Sequence, residues 1–397
     1  MTVVERPVET GIAPIMRPEG FRAYFLLDDD VVFLNHGSFG ACPRPVFDVH
    51  LAWQRQLERQ PVEFIMRRTG PLLDAARSQL ASLVNVQPTD LSFVVNATSG
   101  LNVVARSLAL KPGDEILTTD LEYGALDLTW SHLCQKAGAS YEIQHIPVPF
   151  TTPEAIVDAL WEGVTHRTRV IFLSHITSAT AVILPVEAIC ARARTDGILT
   201  IIDGAHAPGQ IQLDLTGIGA DVYAGNCHKW LCGPKGSAFL HVRPEHQPWI
   251  ESLTIGWGWR EGHTFLTRNQ EQGTRDIAAF LAVPRAIDFQ TEHNWPAVRR
   301  SCHARLAALR ERLHERLRTD PIYPNDERWF SQMAVVSLPE RDTLDPAALQ
   351  RQLVLDHGIE IPCTRHHERV FVRVSVQGYT TDADLEALES ALIALCA

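Results

Sequence analysis

The chain has 397 residues, of which 45% are hydrophobic and 21% charged, so it is long enough to bury a large core in two or three folding units. Its formal net charge of −11 argues against nucleic acid as a partner, because binding to phosphate backbones requires a basic face. Apolar runs of about eighteen residues and a signal-peptide pattern are both missing, and the eight cysteines are scattered, so we expect a cytoplasmic protein with reduced thiols and no membrane segment.

The chain order predicts three regions. Residues 1–30 contain prolines and charges and are expected to form an N-terminal arm. Between residues 31 and 289, short apolar segments alternate with segments of helical periodicity, which is typical of a mostly parallel sheet covered by helices. The predicted strands in this large α/β domain are 91–96, 115–118, 170–174, 199–203, 221–224 and 237–242. Helices are predicted between them, for example at 100–110, 126–137 and 186–195.

The pattern changes in residues 290–397. A basic stretch of helical periodicity comes first, and strands and helices then alternate, which favours a smaller α+β domain. The predicted helices are 295–318, 346–356 and 382–395, and the predicted strands are 333–338 and 370–376.

Two charged residues follow neighbouring predicted strands of the large domain. Asp203 ends the strand 199–203, and Lys229 lies in the polar turn after the strand 221–224. Ligands of open parallel sheets bind at the carboxyl ends of the strands, so both side chains are expected at the binding edge. A carboxylate and a lysine there suit a pyridinium cofactor, because the carboxylate keeps the ring nitrogen protonated and the amine forms an imine. A simple salt bridge between them is the alternative.

A third segment adds an anion site. In the stretch 94–102 (VVNATSGLN) a strand leads into a hydroxyl-rich helix start, where free backbone amides can bind a phosphate. Ordinary capping of the helix by Thr98 or Ser99 is the alternative interpretation. A phosphate site, an aspartate and a lysine in this order favour a pyridoxal 5′-phosphate (PLP) enzyme.

The chain resembles the class V aminotransferase family of fold-type I PLP enzymes over nearly its full length, and within it the isopenicillin N epimerase-like branch. The matching segments are 34–40 (LNHGSFG), 174–178 (SHITS), 203–209 (DGAHAPG), 223–225 (YAG), 228–230 (HKW) and 271–276 (EQGTRD).

This resemblance implies a role for each matching residue. Lys229 would be the catalytic residue that holds PLP covalently, and Asp203 would pair with the pyridine nitrogen. His206 and Ser178 would reach the phenolic oxygen, and Tyr123 would stack on the ring. The residues implied at the phosphate are Ala97, Thr98, Asn226, His228 and, from the neighbouring subunit, Thr274.

The same resemblance implies a homodimer with shared active sites and an amino-acid substrate. Arg373 would bind the substrate carboxylate in a bidentate fork, whereas Asn35 and His36 would either form the substrate mouth or cap a turn. Cys363 precedes a histidine pair and departs from the cysteine pattern of the desulfurases, so we interpret it as a packing residue. We expect no metal, because none of the 17 histidines belongs to a zinc-type spacing motif.

The residues implied around the cofactor do not determine which reaction the enzyme catalyses. The resemblance points to epimerisation at the α-carbon of an amino acid, and β-elimination by a C–S lyase or desulfurase-like route, or transamination, are the alternatives. Epimerisation needs a second acid opposite Lys229, for which the candidates are Tyr123, His175 and Cys227.

Overall fold

The computed structural model describes residues 16–340 and 344–396, so the first half of the predicted arm, residues 1–15, lies outside the described residues. The strands are β1 Val32–Phe33, β2 Leu91–Val94, β3 Glu115–Thr119, β4 Ser140–Gln144, β5 Thr168–Ser174, β6 Leu199–Asp203, β7 Val222–Asn226, β8 Ala238–Val242, β9 Met333–Ser337, β10 Ile359–Glu360, β11 Cys363–His366 and β12 Arg369–Ser375.

Helices lie before, between and after these strands. They are α1 Pro18–Arg22, α2 His36–Phe39, α3 Arg44–Arg59, α4 Pro61–Glu63, α5 Thr69–Leu83, α6 Ala97–Ser107, α7 Gly124–Ala137, α8 Pro153–Trp161, α9 Val186–Thr195, α10 Leu215–Ile218, α11 Phe265–Gln270, α12 Ala278–Leu281, α13 Val283–Glu292, α14 Trp295–Leu317, α15 Pro346–His357 and α16 Asp382–Cys396.

A seven-stranded sheet of order β2-β8-β7-β6-β5-β3-β4 forms the centre of the large part of the chain. Strand β8 is antiparallel to both of its neighbours, and the pairs from β7 to β4 are parallel. Strands β2, β3, β7 and β8 are buried along their whole length, as expected for strands covered on both faces. The predicted α/β fold with a mostly parallel sheet is therefore confirmed.

The register of this sheet brings polar residues together at its carboxyl edge. Ser174 pairs with Asp203, and Asp203 pairs with Ala224, so the ends of β5, β6 and β7 lie side by side. The segment that follows β7 carries Lys229. The binding edge expected from the sequence is thus assembled by strand register alone.

A second, antiparallel sheet of order β11-β12-β9 lies in the C-terminal part, where α14 contacts β9 and α15 contacts β11. Strand β1 joins this part, because Val32 pairs with Ile359 in parallel. The predicted boundary at 289/290 falls inside α13, and the division into domains remains a prediction. Within the described residues, none of the helices is both long and apolar enough to span a membrane.

Candidate active site

A cavity of about 570 Å³ opens at the carboxyl ends of β5, β6 and β7. The small C-terminal sheet covers it through Arg373 of β12. The residues that line it are Ser38, Phe39, Val95, Asn96, Thr98, Tyr123, Ser174, Ile176, Ser178, Asp203, Ala205, His206, Asn226, His228, Lys229, Gly236 and Arg373.

Lys229 lines this cavity, and its Nζ lies 3.2 Å from Nε2 of His206. Burial and, to a smaller extent, the positive charge of Arg373 lower the pKa of Lys229 to about 7, against the opposing effect of Asp203. A lysine with this pKa is largely neutral slightly above pH 7, and the neutral amine is the nucleophilic form. The structure therefore presents an activated amine to a ligand in the cavity.

Asp203 and His206 lie beside Lys229 with unused hydrogen-bonding capacity. Burial raises the pKa of Asp203, and the amide of Ala205, which donates to its Oδ1 over 2.9 Å, opposes the rise. Burial, together with the charges of Lys229 and Arg373, holds the pKa of His206 well below its ordinary value. Its Nδ1 is buried and has no partner among the described residues. A cationic group facing Asp203 would favour the charged form of this carboxylate.

The start of α6 forms the opposite end of the cavity. Asn96 caps this helix, because its side chain accepts from the amide of Ser99 over 2.7 Å. The amide of Ala97 donates to Oδ1 of Asn226 over 2.8 Å. Ala97 itself does not line the cavity, and the predicted contact of its amide with phosphate stays a prediction. Thr98 does line it, and the helix start favours an anion there.

His228 and Asn226 border the same end. Nδ1 of His228 lies 3.0 Å from the carbonyl oxygen of Ser237, which places a proton on Nδ1 and leaves Nε2 as an acceptor in the neutral ring. Burial lowers the pKa of His228 to about 4. A phosphate at this position would favour protonation of the ring. His228 would therefore become a donor to the phosphate when the phosphate is bound.

Arg373 is 4% exposed and has no carboxylate partner among the described residues. Its Nη1 donates to the carbonyl oxygen of Ser178 over 2.6 Å, and its Nη2 donates to Oγ of Ser38 over 2.8 Å. Its Nε is buried and unpartnered in the described parts of the chain. Burial lowers the pKa of Arg373 to about 10, so the group stays charged. An uncompensated buried cation is unfavourable, and an anionic ligand would neutralise it.

Residues of the segment from Asn35 to Gly40 contact both Lys229 and Arg373. His36 is fully buried, and its Nε2 lies 3.1 Å from the carbonyl oxygen of Lys229. The side chain of Asn35 accepts from Oγ of Ser38, which in turn contacts Arg373. A Cβ at Gly40, whose φ is 70°, would lie 2.2 Å from the carbonyl oxygen of His228. Neither Asn35 nor His36 lines the cavity, so the geometry makes them positioning residues and does not support direct substrate contact.

Three further predicted residues differ in their placement. Tyr123 and Ser178 line the cavity, and Oγ of Ser178 lies 3.3 Å from Nη1 of Arg373. Thr274 is exposed in the segment between α11 and α12 and does not line the cavity of its own chain. Its predicted contact with a neighbouring subunit, like the stacking of Tyr123 and the oxygen contact of Ser178, stays a prediction.

The hydrogen bonds that Ser174 makes with Glu122 were not predicted from the sequence. Glu122 is buried beneath the cavity wall, and its Oε2 accepts from both the amide and Oγ of Ser174 over 2.7 Å. Burial raises the pKa of Glu122 to about 8, against the effect of its hydrogen bonds from Thr119 and Ser174. Glu122 directly precedes Tyr123, so this buried network fixes the start of the segment that carries the aromatic ring.

The lining combines the groups that a PLP–amino-acid pair requires. Asp203 favours a cation such as a protonated ring nitrogen, whereas the start of α6 and Arg373 each favour an anion. Lys229 supplies the amine between them, and Nδ1 of His206 is left to donate to an oxygen. The residues present therefore fit the cofactor that the sequence pattern implied.

A match to the family model described as "Aminotransferase class-V" covers residues 54–388 of this chain. Together with the fold and the cavity, this match shows that the chain belongs to the class-V aminotransferase family, whose enzymes depend on PLP.

Three named proteins illustrate what this chain is similar to. An isopenicillin N epimerase of Amycolatopsis lactamdurans is 35% identical over 92% of this chain and 95% of its own. A putative L-cysteine desulfhydrase 1 of Oryza sativa subsp. japonica is 29% identical over 92% of this chain and 83% of its own. The apo structure of a cysteine desulfurase from Thermococcus onnurineus NA1 superimposes with a TM-score of 0.78 at 21% identity, over 97% of this chain and 99% of that chain. This last likeness confirms the fold.

Proposed function

We propose that this chain inverts the configuration at the α-carbon of an amino-acid substrate, with PLP as its cofactor. The observation that carries the proposal is the uncompensated Arg373 in the same cavity as Lys229 and Tyr123. Arg373 would hold the substrate carboxylate, and the two other residues would handle protons. The 35% identical isopenicillin N epimerase supports this choice of reaction.

Seven lining residues are the proposed contacts of the cofactor. Asp203 would face the ring nitrogen, His206 and Ser178 the phenolic oxygen, and Tyr123 the ring face. The proposed phosphate contacts are Thr98, His228 and the amide group of Asn226. When bound, PLP supplies an electron sink for the charge that develops at the α-carbon.

Lys229 would be the base on one face of the substrate, because its lowered pKa, about 7, matches the pH at which it must accept and release a proton. Of the three candidates for the second acid, His175 is hydrogen-bonded to the hydroxyl of Tyr223 over 2.8 Å, and Cys227 is fully buried. Neither lines the cavity, whereas Tyr123 does. We therefore assign the second proton to Tyr123.

β-Elimination from a sulfur-containing amino acid is the second candidate, supported by the relative with the name L-cysteine desulfhydrase. It would use the same Arg373 and Lys229 but no second acid at the α-carbon. A desulfurase route through a cysteine nucleophile is not supported. Cys363 does not line the cavity, and burial raises the pKa of its thiol to about 12, so the reactive thiolate is disfavoured. Transamination, the third possibility, has no specific support in the cavity.

We further propose that the active form is a cytoplasmic homodimer in which Thr274 of one subunit reaches the phosphate site of the other. The exposed position of Thr274 outside its own cavity supports this arrangement. Co-purification of differently tagged subunits, followed by analytical ultracentrifugation, tests the dimer.

The experiment that tests the reaction incubates the purified enzyme with a panel of L- and D-amino acids, including large and sulfur-containing ones, in deuterium oxide. Inversion predicts a mixture of enantiomers with deuterium at the α-carbon and no keto acid. Release of pyruvate and sulfide would establish elimination instead. With a keto acid added as acceptor, formation of a new keto acid together with the amino acid derived from the acceptor, without release of ammonia, would establish transamination.

A further inference from the structure

A second cluster of ligand-type side chains lies at the outer part of the same sheet edge. Asp120 directly follows β3, and His145 directly follows β4. These strands are parallel neighbours in which Thr119 pairs with Gln144, so the two side chains emerge together. His366 is the last residue of β11 and His367 lies in the turn that follows it, both in the C-terminal sheet region. The cluster therefore joins segments that are more than two hundred residues apart in the sequence.

The side chains converge on one carboxylate oxygen. Nδ1 of His145 lies 2.6 Å from Oδ2 of Asp120, and Nε2 of His367 lies 2.7 Å from the same atom. The ligand atoms of these three residues all lie within 4.8 Å of one another. The second oxygen of Asp120, Oδ1, accepts from the amide of Ile146 over 3.1 Å, which fixes the orientation of the carboxylate.

His366 is an independent observation that points to a missing ligand. Its side chain is 8% exposed, and its Nε2 has no hydrogen-bond partner among the described residues. This nitrogen lies 3.9 Å from Oδ2 of Asp120, too far for a hydrogen bond. A buried, unsatisfied ring nitrogen that points into a cluster of two imidazoles and a carboxylate is unfavourable unless something binds it.

We propose that Asp120, His145, His366 and His367 form a Zn²⁺ site. Zinc prefers four nitrogen or oxygen ligands in a tetrahedron, with bonds of about 2.0–2.2 Å, which sets the ligand atoms about 3.3 Å apart. The separations of His145 and His367 from Oδ2, 2.6 and 2.7 Å, must widen slightly to reach this value. His366 lies 3.9 Å from Oδ2 but outside the group of three whose ligand atoms all lie within 4.8 Å of one another, so its ring must move toward the other imidazoles to complete the tetrahedron. For the ion to bind, the nitrogen of His145 and of His367 that faces Asp120 must be free of its proton, and a neutral ring then carries that proton on its other nitrogen, so both imidazoles bind zinc as neutral ligands.

The ion would connect the two sheets of the molecule. Two ligands belong to the carboxyl edge of the large sheet, one to the end of β11 and one to the turn that follows β11. Tyr123, which lines the cavity, is three residues beyond Asp120. Zinc would therefore hold the C-terminal sheet over the large sheet close to the proposed active site, as a structural site with four protein ligands.

The test is zinc binding by the full-length holoenzyme after treatment with a chelator and removal of the chelate. Isothermal titration calorimetry with Zn²⁺ is expected to give one site per chain in the unaltered protein. His367→Ala is expected to weaken it at least about 10–100-fold, the loss that even an outer partner of a zinc ligand typically causes. His367 is half exposed, so this variant is expected to fold, and Asp120→Asn provides a second test of the same site.

His166→Ala is the matched control, since His166 is an exposed histidine of the large sheet region outside the cluster, and its zinc binding should equal that of the unaltered protein. Zinc is also expected to raise the melting temperature of the unaltered protein and not that of His367→Ala. Binding that is absent from the unaltered protein, or equal in His367→Ala and in the control, would overturn the proposal. Neither result depends on the reaction that the enzyme catalyses.

Discussion

Two polar clusters lie at the carboxyl edge of one sheet and differ in how their charges are paired. In the cavity beyond β6 and β7, Lys229 and Arg373 face a single lining carboxylate, Asp203. Beyond β3 and β4, the carboxylate of Asp120 instead accepts from two imidazoles at once. A buried charge without a partner indicates where a ligand of opposite charge binds. In this second cluster only Nε2 of His366 is left without a partner among the described residues, so a ligand must bind the other groups more strongly than they bind each other.

The largest effect is expected from Lys229→Ala, which removes the amine at the centre of the first cluster. We expect turnover to fall by about 10⁴-fold, the upper range for loss of an acid–base group. Borohydride should no longer fix the cofactor to the protein, so denaturation should release it. Mass spectrometry of the reduced protein measures this attachment. Lys235→Ala is the control, because Nζ of Lys235 donates to the carbonyl oxygen of Gly40 outside the cavity lining. Loss of covalent attachment in Lys235→Ala, with attachment retained in Lys229→Ala, would refute the assignment of Lys229 as the residue that binds the cofactor.

Tyr123→Phe is expected to slow inversion by about 10³-fold, because it removes the proposed second acid while the ring remains. Exchange of the α-proton with solvent should continue for the enantiomer whose proton Lys229 removes. Chiral chromatography measures inversion, and proton NMR in deuterium oxide measures exchange. Unchanged inversion in this variant would show that the second proton comes from elsewhere.

Arg373→Met is expected to raise KM about 100-fold, since two charge-assisted hydrogen bonds to the substrate carboxylate are lost. The free energy of unfolding of the apoenzyme should stay constant or rise by about 1 kcal/mol, because an uncompensated buried charge is removed. Steady-state kinetics and urea unfolding measure the two effects. Arg373→Lys should recover little of the affinity, because an ammonium lacks the planar fork. A strong loss of apoenzyme stability would contradict this account of Arg373.

The rate of covalent cofactor attachment to the apoenzyme is expected to depend on the lowered pKa of Lys229. Since the neutral amine attacks, the rate should fall about tenfold for each pH unit below about 7 and level off above it. The absorbance change on adding PLP measures this rate. In Arg373→Met the repulsion that helps to lower this pKa is absent, so the pH profile should move to higher pH. A profile that levels off only near the ordinary lysine pKa would contradict the burial of this amine.

The smallest effect is expected in the second cluster. Without zinc, His367→Ala should lower the free energy of unfolding by only about 0.5 kcal/mol, because half-exposed ion pairs are screened by water. Thermal unfolding in the presence of a chelator measures it. A loss of several kcal/mol would mean that the hydrogen bonds of Asp120 already hold the two sheets together in the metal-free protein, and the contrast between the two clusters would disappear.

Local patterns were sufficient to predict the residues that end buried strands. Asp203 and Lys229 follow apolar segments that can only be central strands, and Arg373 lies in a predicted strand of alternating polarity. Strand β4 was missed because it is a half-exposed edge strand with mixed side chains, and β11 because it is short and polar. Neither segment buries enough apolar surface to leave a periodic signal.

The sequence could not show which donors are already used. The pairing of the Ala97 amide with Asn226 joins positions 129 residues apart, and the contact of His36 with the carbonyl oxygen of Lys229 joins positions 193 apart. The zinc-type cluster could not be predicted from the sequence for the same reason, because Asp120 and His367 are 247 residues apart. An aspartate directly after a buried strand, as at Asp120, was the available signal.

The hydrogen bonds of His36 have a consequence for the order in which the protein becomes active. His36 contacts both the carbonyl oxygen of Lys229 and the hydroxyl of Tyr379, and Arg373 lies near the C-terminus as well. A chain synthesised only as far as the large sheet already contains His36 and Lys229 but lacks the Tyr379 hydroxyl, which contacts the His36 ring, and the Arg373 cation. The surroundings of Lys229 are therefore completed only when the C-terminal sheet has folded onto the large sheet.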